Sequence, residues 1–400
     1  MHQSFLRWLM DAVPRTPRRA GILMRFYYLW CEIFTYAGHV CAALFLFAMA
    51  AGAMAGFWAA WVFSGFIFLF LISLVPSLFM TARKTKIEGS NILVTPVTEG
   101  QTARVSVRYR AVSPVDCVSL SCFRLDTSLA CTESPSACAL AAGAEGELQC
   151  EIKTKTRGAY RIPKVALVVP EIKGMLRYPV NCGESELLVY PKAVQLHSFA
   201  FLTMGKGGQA FAPLLMPRFA RGLDFAGVRE YREGDSLRDL HHRAFARYGR
   251  PFTKEFESER GAGAIFVLDV QARNLRELSL REPLIRLAAG IGLWFLERGI
   301  LGRFFVGDDE IPLLPENATS MFLESLARIP RADIRDAKNL QEHPWSPAAR
   351  PMGPVLRLGL FPSTSPLVHK QVVVSASAYD APEDVLCVPA GNLDAGEVSL

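Results

Sequence analysis

The sequence predicts a membrane-anchored multidomain protein with two N-terminal transmembrane helices, a β-sandwich-like module and a C-terminal α/β domain. Residues 40–82 contain no charged residue. Short segments with alternating polarity follow up to about residue 190, and beyond residue 260 strand-like and helix-like segments alternate. The predicted boundaries are 1–32 for a cytoplasmic N-terminal segment, 33–82 for the helix pair, 86–192 for the β module, 193–260 for a charged segment and 261–400 for the α/β domain.

Composition limits the class of protein. Half of the 400 residues are hydrophobic and 20% are charged, with a mean hydropathy of +0.20. Such a chain has too much apolar surface to remain disordered, and it lacks the Gly or Pro period of a fibrous protein. The net charge is +6, from 44 basic and 38 acidic residues. This mild excess does not by itself predict nucleic-acid binding.

The uncharged stretch predicts a membrane anchor. As one helix, residues 40–82 would be about 64 Å long, against a hydrocarbon core of about 30 Å. We therefore predict two helices, at residues 33–51 and 58–79, joined by a small connector at 52–56. A signal peptide fits less well because its apolar core would be shorter. The two glycines of the connector also match a helix-dimerisation pattern, GxxxG.

Basic residues flank the helix pair on both sides, and the connector carries none. Five precede it and three follow it: Arg7, Arg15, Arg18, Arg19, Arg25, Arg83, Lys84 and Lys86. Because positive charge is retained on the cytoplasmic side, both termini are expected in the cytoplasm.

The chain has nine cysteines, and their odd number and irregular spacing argue against a disulfide framework. In a reducing cytoplasm we expect free thiols that pack as small hydrophobic residues. Pairing among the six cysteines between Cys117 and Cys182 is the alternative, and it would require the inverted topology. The sequence predicts no metal and no cofactor.

The β module is predicted from alternation and turn residues. Strands are expected at residues 102–109, 115–123, 146–153, 159–169 and 185–190. Because the module has no cluster of catalytic residue types, we interpret it as a spacer or interaction module. Residues 204–208 weakly resemble a phosphate loop but lack its spacing.

The most informative segment is residues 218–260, which hold ten basic and eight acidic residues. The interleaved signs argue against a nucleic-acid patch. Three interpretations remain, of which the third is favoured: an acid–base site, a metal site from the same residues, or a structural or partner-binding network. The candidate residues for the first two are Asp235, Asp239, His241 and His242. The adjacent histidines would point in different directions, whereas Asp239 and His242 could share a helix face.

The same segment carries a spaced pattern of residues. It comprises Asp224-Phe225, Val228-Arg229-Glu230-Tyr231, Gly234-Asp235, Arg238, His242-Arg243, Ala246-Arg247 and Lys254-Glu255-Phe256-Glu257. This pattern resembles the hallmark of the bacterial family called domain of unknown function 58. His242 stands where that family usually has Trp. The resemblance extends over most of residues 25–330, but the family has no assigned reaction.

The C-terminal region predicts alternating strands and helices. A buried strand at 263–270 ends in Asp269, and a helix follows, with a capping box at Ser279 and Glu282 and an end at Gly299. The remaining predictions are strands at 303–306, 355–361, 371–377 and 385–388, a helix at 321–329 and a linker at 333–353.

The family resemblance implies that this region is a von Willebrand factor A-like domain. Metal-binding members of that fold carry DxSxS after the first strand. Here Asp269 is retained, whereas Gln271 and Arg273 replace both serines. Gln271 still offers an oxygen, but Arg273 would place a cation beside the ion. We therefore predict a degenerate metal site and an ion pair or turn cap for Asp269.

These observations predict a membrane-anchored scaffold without catalytic activity. The resemblance implies a MoxR-type AAA+ ATPase as partner, together with other von Willebrand A-like membrane proteins. The expected interaction residues are Asp224, Arg229, Tyr231, Gly234, Asp235, Arg238, His242, Arg243 and Arg247. The alternatives are a hydrolase that uses Asp235, Asp239 and His242, and a structural protein of the cell envelope.

Overall fold

The computed structural model divides the chain into two compact units, Met1–Tyr190 (unit 1) and Pro191–Leu400 (unit 2). The residues that it describes are 22–204, 210–211, 225–232, 237–256, 263–331, 345, 353–377, 381–393 and 396–400.

Unit 1 begins with three helices: α1 (Ile22–Ile33), α2 (Tyr36–Ala55) and α3 (Trp58–Lys84). Two of them, α2 and α3, are long and apolar enough to cross a membrane. The predicted first span began too early, because α1 is a separate helix. Thr35 caps α2 by accepting a hydrogen bond from the Gly38 N–H.

The connector between α2 and α3 is shorter than the predicted 52–56. Helix α2 continues to Ala55, and Gly56 ends it in the left-handed conformation at φ 65°. A Cβ atom at Gly52 would lie 2.9 Å from Trp61 Nε1, so this glycine permits the close approach of α2 and α3. Many large apolar side chains of the two helices are exposed, among them Leu46, Phe47, Met54, Phe66, Leu69 and Val75.

The rest of unit 1 is built from two β-sheets. The strands are β1 (Ile87–Val94), β2 (Val97–Thr98), β3 (Thr102–Ala111), β4 (Val115–Phe123), β5 (Leu129–Thr132), β6 (Ala137–Leu140), β7 (Glu145–Thr154), β8 (Gly158–Pro170) and β9 (Arg177–Tyr190). One sheet has the order β1-β3-β7-β5 and the other β2-β9-β8-β4-β6. Side chains from both sheets form one apolar core, as the alternation in β3 and β7 requires. The five predicted strands are present, whereas β1, β2, β5 and β6 were missed.

The turn between β8 and β9 is attached to the helices. Thr35 Oγ1 donates to Gly174 O at 2.8 Å, and Lys173 Nζ donates to Ser73 Oγ at 2.8 Å. The buried Glu171 accepts a hydrogen bond from Ser77 Oγ. The sandwich is therefore joined to both apolar helices through side chains as well as through the chain itself.

Unit 2 is an α/β fold. Its strands are β10 (Gln195–Ser198), β11 (Phe225–Glu230), β12 (Phe252–Phe256), β13 (Ala264–Leu268), β14 (Leu301–Val306), β15 (Asp309–Ile311), β16 (Val355–Gly359), β17 (Lys370–Ser375), β18 (Val385–Pro389) and β19 (Glu397–Ser399). Its helices are α4 (His242–Tyr248), α5 (Leu275–Ser279), α6 (Arg281–Glu297), α7 (Ala318–Arg328) and α8 (Ala390–Leu393).

Six of these strands form the central sheet, in the order β15-β14-β13-β16-β17-β18. All neighbours are parallel except β14 and β15. Apolar clusters cover both faces, so β13 is buried at every position. The prediction of an open, largely parallel sheet matches this architecture. Most of the predicted linker at 333–353 lies outside the described residues.

The predicted capping box was wrong. Ser279 ends α5 and its hydroxyl donates to Arg276 O, while α6 begins after Leu280 without a side-chain cap. The side-chain cap belongs to α5, where Asn274 Oδ1 accepts from the Glu277 N–H at 2.8 Å. A short extra helix therefore precedes the predicted one, because Asn274 offers an earlier start signal.

Candidate functional site

The charged segment folds as a hairpin with a short helix. Strands β11 and β12 pair antiparallel, a 3₁₀ turn covers Leu237–Asp239, and α4 follows. The predicted interaction residues lie on these elements: Arg229 on β11, Tyr231 directly after it, Arg238 in the turn, and His242, Arg243 and Arg247 on α4. Asp224, Gly234 and Asp235 lie outside the described residues.

Helix α4 presents a basic surface. His242, Arg243 and Arg247 are all exposed, and no residue of α4 is buried. Neighbouring His241 is the N-cap, and its Nδ1 accepts from the Ala244 N–H at 2.9 Å. His241 therefore has a structural task that competes with any role as a proton carrier. Exposed cations on a short helix can bind an acidic surface.

The carboxyl end of the central sheet is where an open α/β fold binds ligands, at the point where strand order reverses. That point lies between β13 and β16, and Asp269 follows β13 directly. Asp269 Oδ2 accepts from Arg357 Nη2 at 2.6 Å, and Oδ1 accepts from the Gln271 N–H at 3.0 Å. Asp269 is 4% exposed and Arg357 is 1% exposed. The buried carboxylate therefore already has a cation of its own.

The Arg357 guanidinium is fixed on a second side. Its Nη1 donates to Phe361 O at 2.6 Å. Arg273, at the third position of the DxSxS alignment, lies over the Phe361 ring, with Cζ 4.1 Å from the centroid. These residues do not fit a divalent ion, because the Arg357 guanidinium already pairs with the one carboxylate that would hold it, and Arg273 adds a second cation to the motif. Neither Asp269 nor Arg357 lines the 260 Å³ cavity bordered by Arg273 and Phe361.

Sequence reasoning missed a second candidate region, in unit 1. A cavity of about 330 Å³ lies between α1 and the strands β4 and β5. The side chains that line it include Tyr28, Glu32, Cys122, Arg124, Cys131 and Arg177.

Glu32 is the buried charge of this cavity. Its Oε1 accepts from Arg124 Nε and its Oε2 from Lys164 Nζ, both at 2.6 Å. Its backbone carbonyl accepts from Arg177 Nε at 2.8 Å, and the Arg124 guanidinium lies 5.0 Å from the centroid of the Tyr28 ring. Side chains of three β-sandwich cations therefore hold the end of α1 in place.

Three cysteines converge beside the same cavity. The Sγ atoms of Cys122, Cys131 and Cys150 all lie within 4.8 Å of one another, and those of Cys122 and Cys150 are 3.6 Å apart. Hydrogen bonds from the Cys122 and Cys150 thiols lower the pKa of the Cys131 thiol to about 4. The spacing of these cysteines in the sequence did not predict the group, because the residues belong to strands of two facing sheets. Only the strand register brings them together.

Comparison with known proteins gives one family. The family described as "Protein of unknown function DUF58" matches residues 227–336. This range begins inside β11 and continues through β13, β14, β15 and α7. No curated protein matches the chain.

Several solved structures show a local likeness. An alkylpurine DNA glycosylase of Pseudomonas fluorescens is 16% identical, and the match covers 26% of this chain and 30% of the glycosylase chain, with a TM-score of 0.18. A CARDB domain of Pyrococcus furiosus, solved with di-metal ions, is 13% identical and covers 26% and 88%, with a TM-score of 0.17. The VesB protease of Vibrio cholerae is 11% identical and covers 27% and 32%, also with a TM-score of 0.17. Likenesses this slight carry no argument about the chain.

Proposed function

We propose that this chain, whose residues 227–336 match the DUF58 family model, is a non-catalytic, membrane-anchored scaffold that presents its domains to protein partners. The observation that carries the proposal is the Asp269–Arg357 pair. In an open α/β fold the ligand crevice lies at this point, and here a buried guanidinium fills it. A domain whose ligand position is closed by its own side chain is suited to binding through its surface.

The unit 2 sheet supports a von Willebrand factor A-like interpretation. Its strand order places the first strand, β13, in the middle, with a short antiparallel strand, β15, at one edge. In metal-binding members of that fold the side chains of DxSxS hold a divalent ion. Because Gln271 and Arg273 replace both serines, we propose that partner recognition in this chain needs no such ion.

The membrane anchor is supported by helix length and by exposed apolar surface. Ser77, where the β8–β9 turn attaches, lies 19 residues after Trp58, which corresponds to about 28 Å of helix and thus to one hydrocarbon core. We propose two passes in a bacterial inner membrane with both termini in the cytoplasm. The basic residues Arg83 and Lys84 at the end of α3 favour this orientation.

The partner surface that we propose includes α4 and the β11–β12 hairpin. Arg243 and Arg247 point charge into solvent, and the nearby pair of Arg250 and Glu230 is exposed on both sides. Such a surface fits an acidic patch on another protein. From the family resemblance we propose that the protein with this acidic patch is a MoxR-type AAA+ ATPase. Other von Willebrand A-like membrane proteins would belong to the same assembly.

A direct binding measurement tests this proposal. The full-length chain in detergent is immobilised, and a purified MoxR-type ATPase from the same organism is passed over it at several salt concentrations. We expect saturable binding that weakens with salt and that falls at least tenfold in the double variant R243E/R247E, because a reversed charge opposes an acidic surface.

The matched control is R104E/R108E, which reverses two exposed arginines on strand β3 of the sandwich. It should bind like the parent chain. Equal loss in both variants would indicate a general charge effect, and unaltered binding by R243E/R247E would remove α4 from the interface.

A further inference from the structure

We propose that Cys122, Cys131 and Cys150 form a binding site for one thiophilic metal ion, Zn(II) or Cu(I), reached through the unit 1 cavity. This inference concerns unit 1 and does not depend on the scaffold proposal. The three Sγ atoms lie within 4.8 Å of one another, and thiolates are the ligands that Zn(II) and Cu(I) prefer.

The spacing of the sulfur atoms suits a shared ion. With Zn–S bonds of about 2.3 Å, two sulfur ligands in a tetrahedral site lie about 3.8 Å apart. The Sγ atoms of Cys122 and Cys150 are 3.6 Å apart. Only small side-chain rotations would therefore bring all three sulfur atoms to bonding distance from one centre.

The backbone holds the group in advance of binding. Cys122 lies on β4 in one sheet, whereas Cys131 on β5 and Cys150 on β7 belong to the facing sheet. Cys150 is fully buried and Cys122 is 6% exposed. An ion at this position would cross-link the two sheets, because its ligands come from both.

The cavity supplies an entry path and a free coordination position. Cys122 and Cys131 line it, while Cys150 lies behind them in the core. Asp126 and Glu133 also line the cavity, but Glu133 pairs with Arg177 Nη1, so the three sulfur atoms are the ligands that would select the ion. Three protein ligands with one open position is the coordination pattern in which zinc keeps a water molecule or an added ligand.

A second pair of cysteines in the same module provides the contrast. Cys117 and Cys138 are opposite each other on β4 and β6, with Sγ atoms 3.1 Å apart. Cys138 is exposed, and within the described part of the chain no third sulfur forms a metal-sized group with this pair. It is therefore the matched control for the three-cysteine group.

The test uses the full-length protein in detergent, reduced and then freed of metal with a chelator. Zn(II) is titrated against a chromophoric chelator, and Co(II) is used separately as a spectroscopic probe. We expect one equivalent of metal, a sulfur-to-cobalt charge-transfer band and tetrahedral d–d bands. The variant Cys131→Ser should bind Zn(II) about 100-fold more weakly or not at all, whereas Cys138→Ser should bind like the parent chain.

Folding is checked in the same samples. Cys131 is only half-buried, so its serine variant should keep the parent far-UV circular dichroism, and Zn(II) should raise the Tm of the parent but not of Cys131→Ser. Metal analysis of protein purified from cells distinguishes zinc from copper, and either metal supports the site. Binding of equal strength in Cys131→Ser, an absence of binding in the parent, or a Cys122–Cys150 disulfide in protein isolated with its thiols blocked would each overturn the proposal.

Discussion

Two buried carboxylates, Glu32 in unit 1 and Asp269 in unit 2, lie at different kinds of site. Asp269 occupies the ligand position of its fold, but the Arg357 guanidinium binds it directly and is anchored in turn by Phe361 O. Glu32 lies near the end of α1 and is held by cations of a β-sandwich module with no expected ligand position. It nevertheless borders a cavity of about 330 Å³ that it shares with a group of cysteines.

The difference shows that the place where a fold usually binds ligands does not decide where this chain offers chemistry. Function resides in particular side chains, and the same architecture can hold an open site or a closed one. In unit 2 a single arginine on the middle strand β16 closes the position. In unit 1 the three-cysteine group arises from strand register in a module that the sequence presents as a spacer.

The largest effect should follow from breaking the pair in unit 2. Arg357→Met keeps the side-chain length but leaves the Asp269 carboxylate buried without a cation. Removing one partner of a buried ion pair costs about 3–5 kcal/mol, which corresponds to a fall in Tm of roughly 6–20 °C for a unit of this size. Differential scanning fluorimetry of the full-length protein in detergent measures the shift.

The double variant Asp269→Asn/Arg357→Met is the control for this prediction. It removes both charges and should recover at least half of the lost stability, because no unpaired ion remains. If Arg357→Met melted like the parent chain, the guanidinium would not be what neutralises Asp269. The closed ligand position would then lose its support.

A smaller effect is expected for Glu32→Gln in unit 1. The change removes the anion shared by Arg124 and Lys164, whose side chains are 26% and 17% exposed. Since these cations can be solvated, we expect a loss of about 1.5–3 kcal/mol, the usual range for hydrogen bonds to charged groups. Hydrogen exchange should accelerate in α1, and denaturant titration gives the free energy of unfolding.

Glu184→Gln is the matched control for this change, because it removes a carboxylate from the exposed pair with Arg161. Surface pairs contribute about 0–1 kcal/mol. Equal destabilisation by Glu184→Gln and Glu32→Gln would mean that burial at the cavity does not increase the contribution of Glu32 to the free energy of unfolding. The contrast between Glu32 and Asp269 would then rest on Asp269 alone.

Much of the fold was predictable because its signals are local. The uncharged stretch from residue 40 to 82 indicated two apolar helices, and alternation indicated strands such as β3 and β7. Strand β5 was missed because four residues are too few to show a period. Helix α1 was missed because its aromatic residues were interpreted as the membrane interface of the next helix.

The candidate sites were harder to predict because they depend on contacts between distant segments. Arg357 lies 88 positions after Asp269, and only the parallel pairing of β13 with β16 makes them neighbours. Glu32 meets Lys164 across 132 positions. Motif spacing identified Asp269, Gln271 and Arg273 as a degenerate ion site, but no feature of the sequence indicated which cation would take the place of the ion.

The smallest predicted effect concerns the start of α5, near the closed position of unit 2. Asn274 Oδ1 accepts from the Glu277 N–H, and the Glu277 carboxylate accepts from the Arg273 N–H at 2.6 Å. Asn274→Ala should therefore destabilise unit 2 by about 1 kcal/mol, the usual contribution of an N-cap. Ser279→Ala should have less than half of that effect, because the Ser279 hydroxyl only donates to Arg276 O within the last turn. Denaturant titration of the two variants separates these outcomes, and a larger loss in Ser279→Ala would restore the helix start that the sequence pattern predicted.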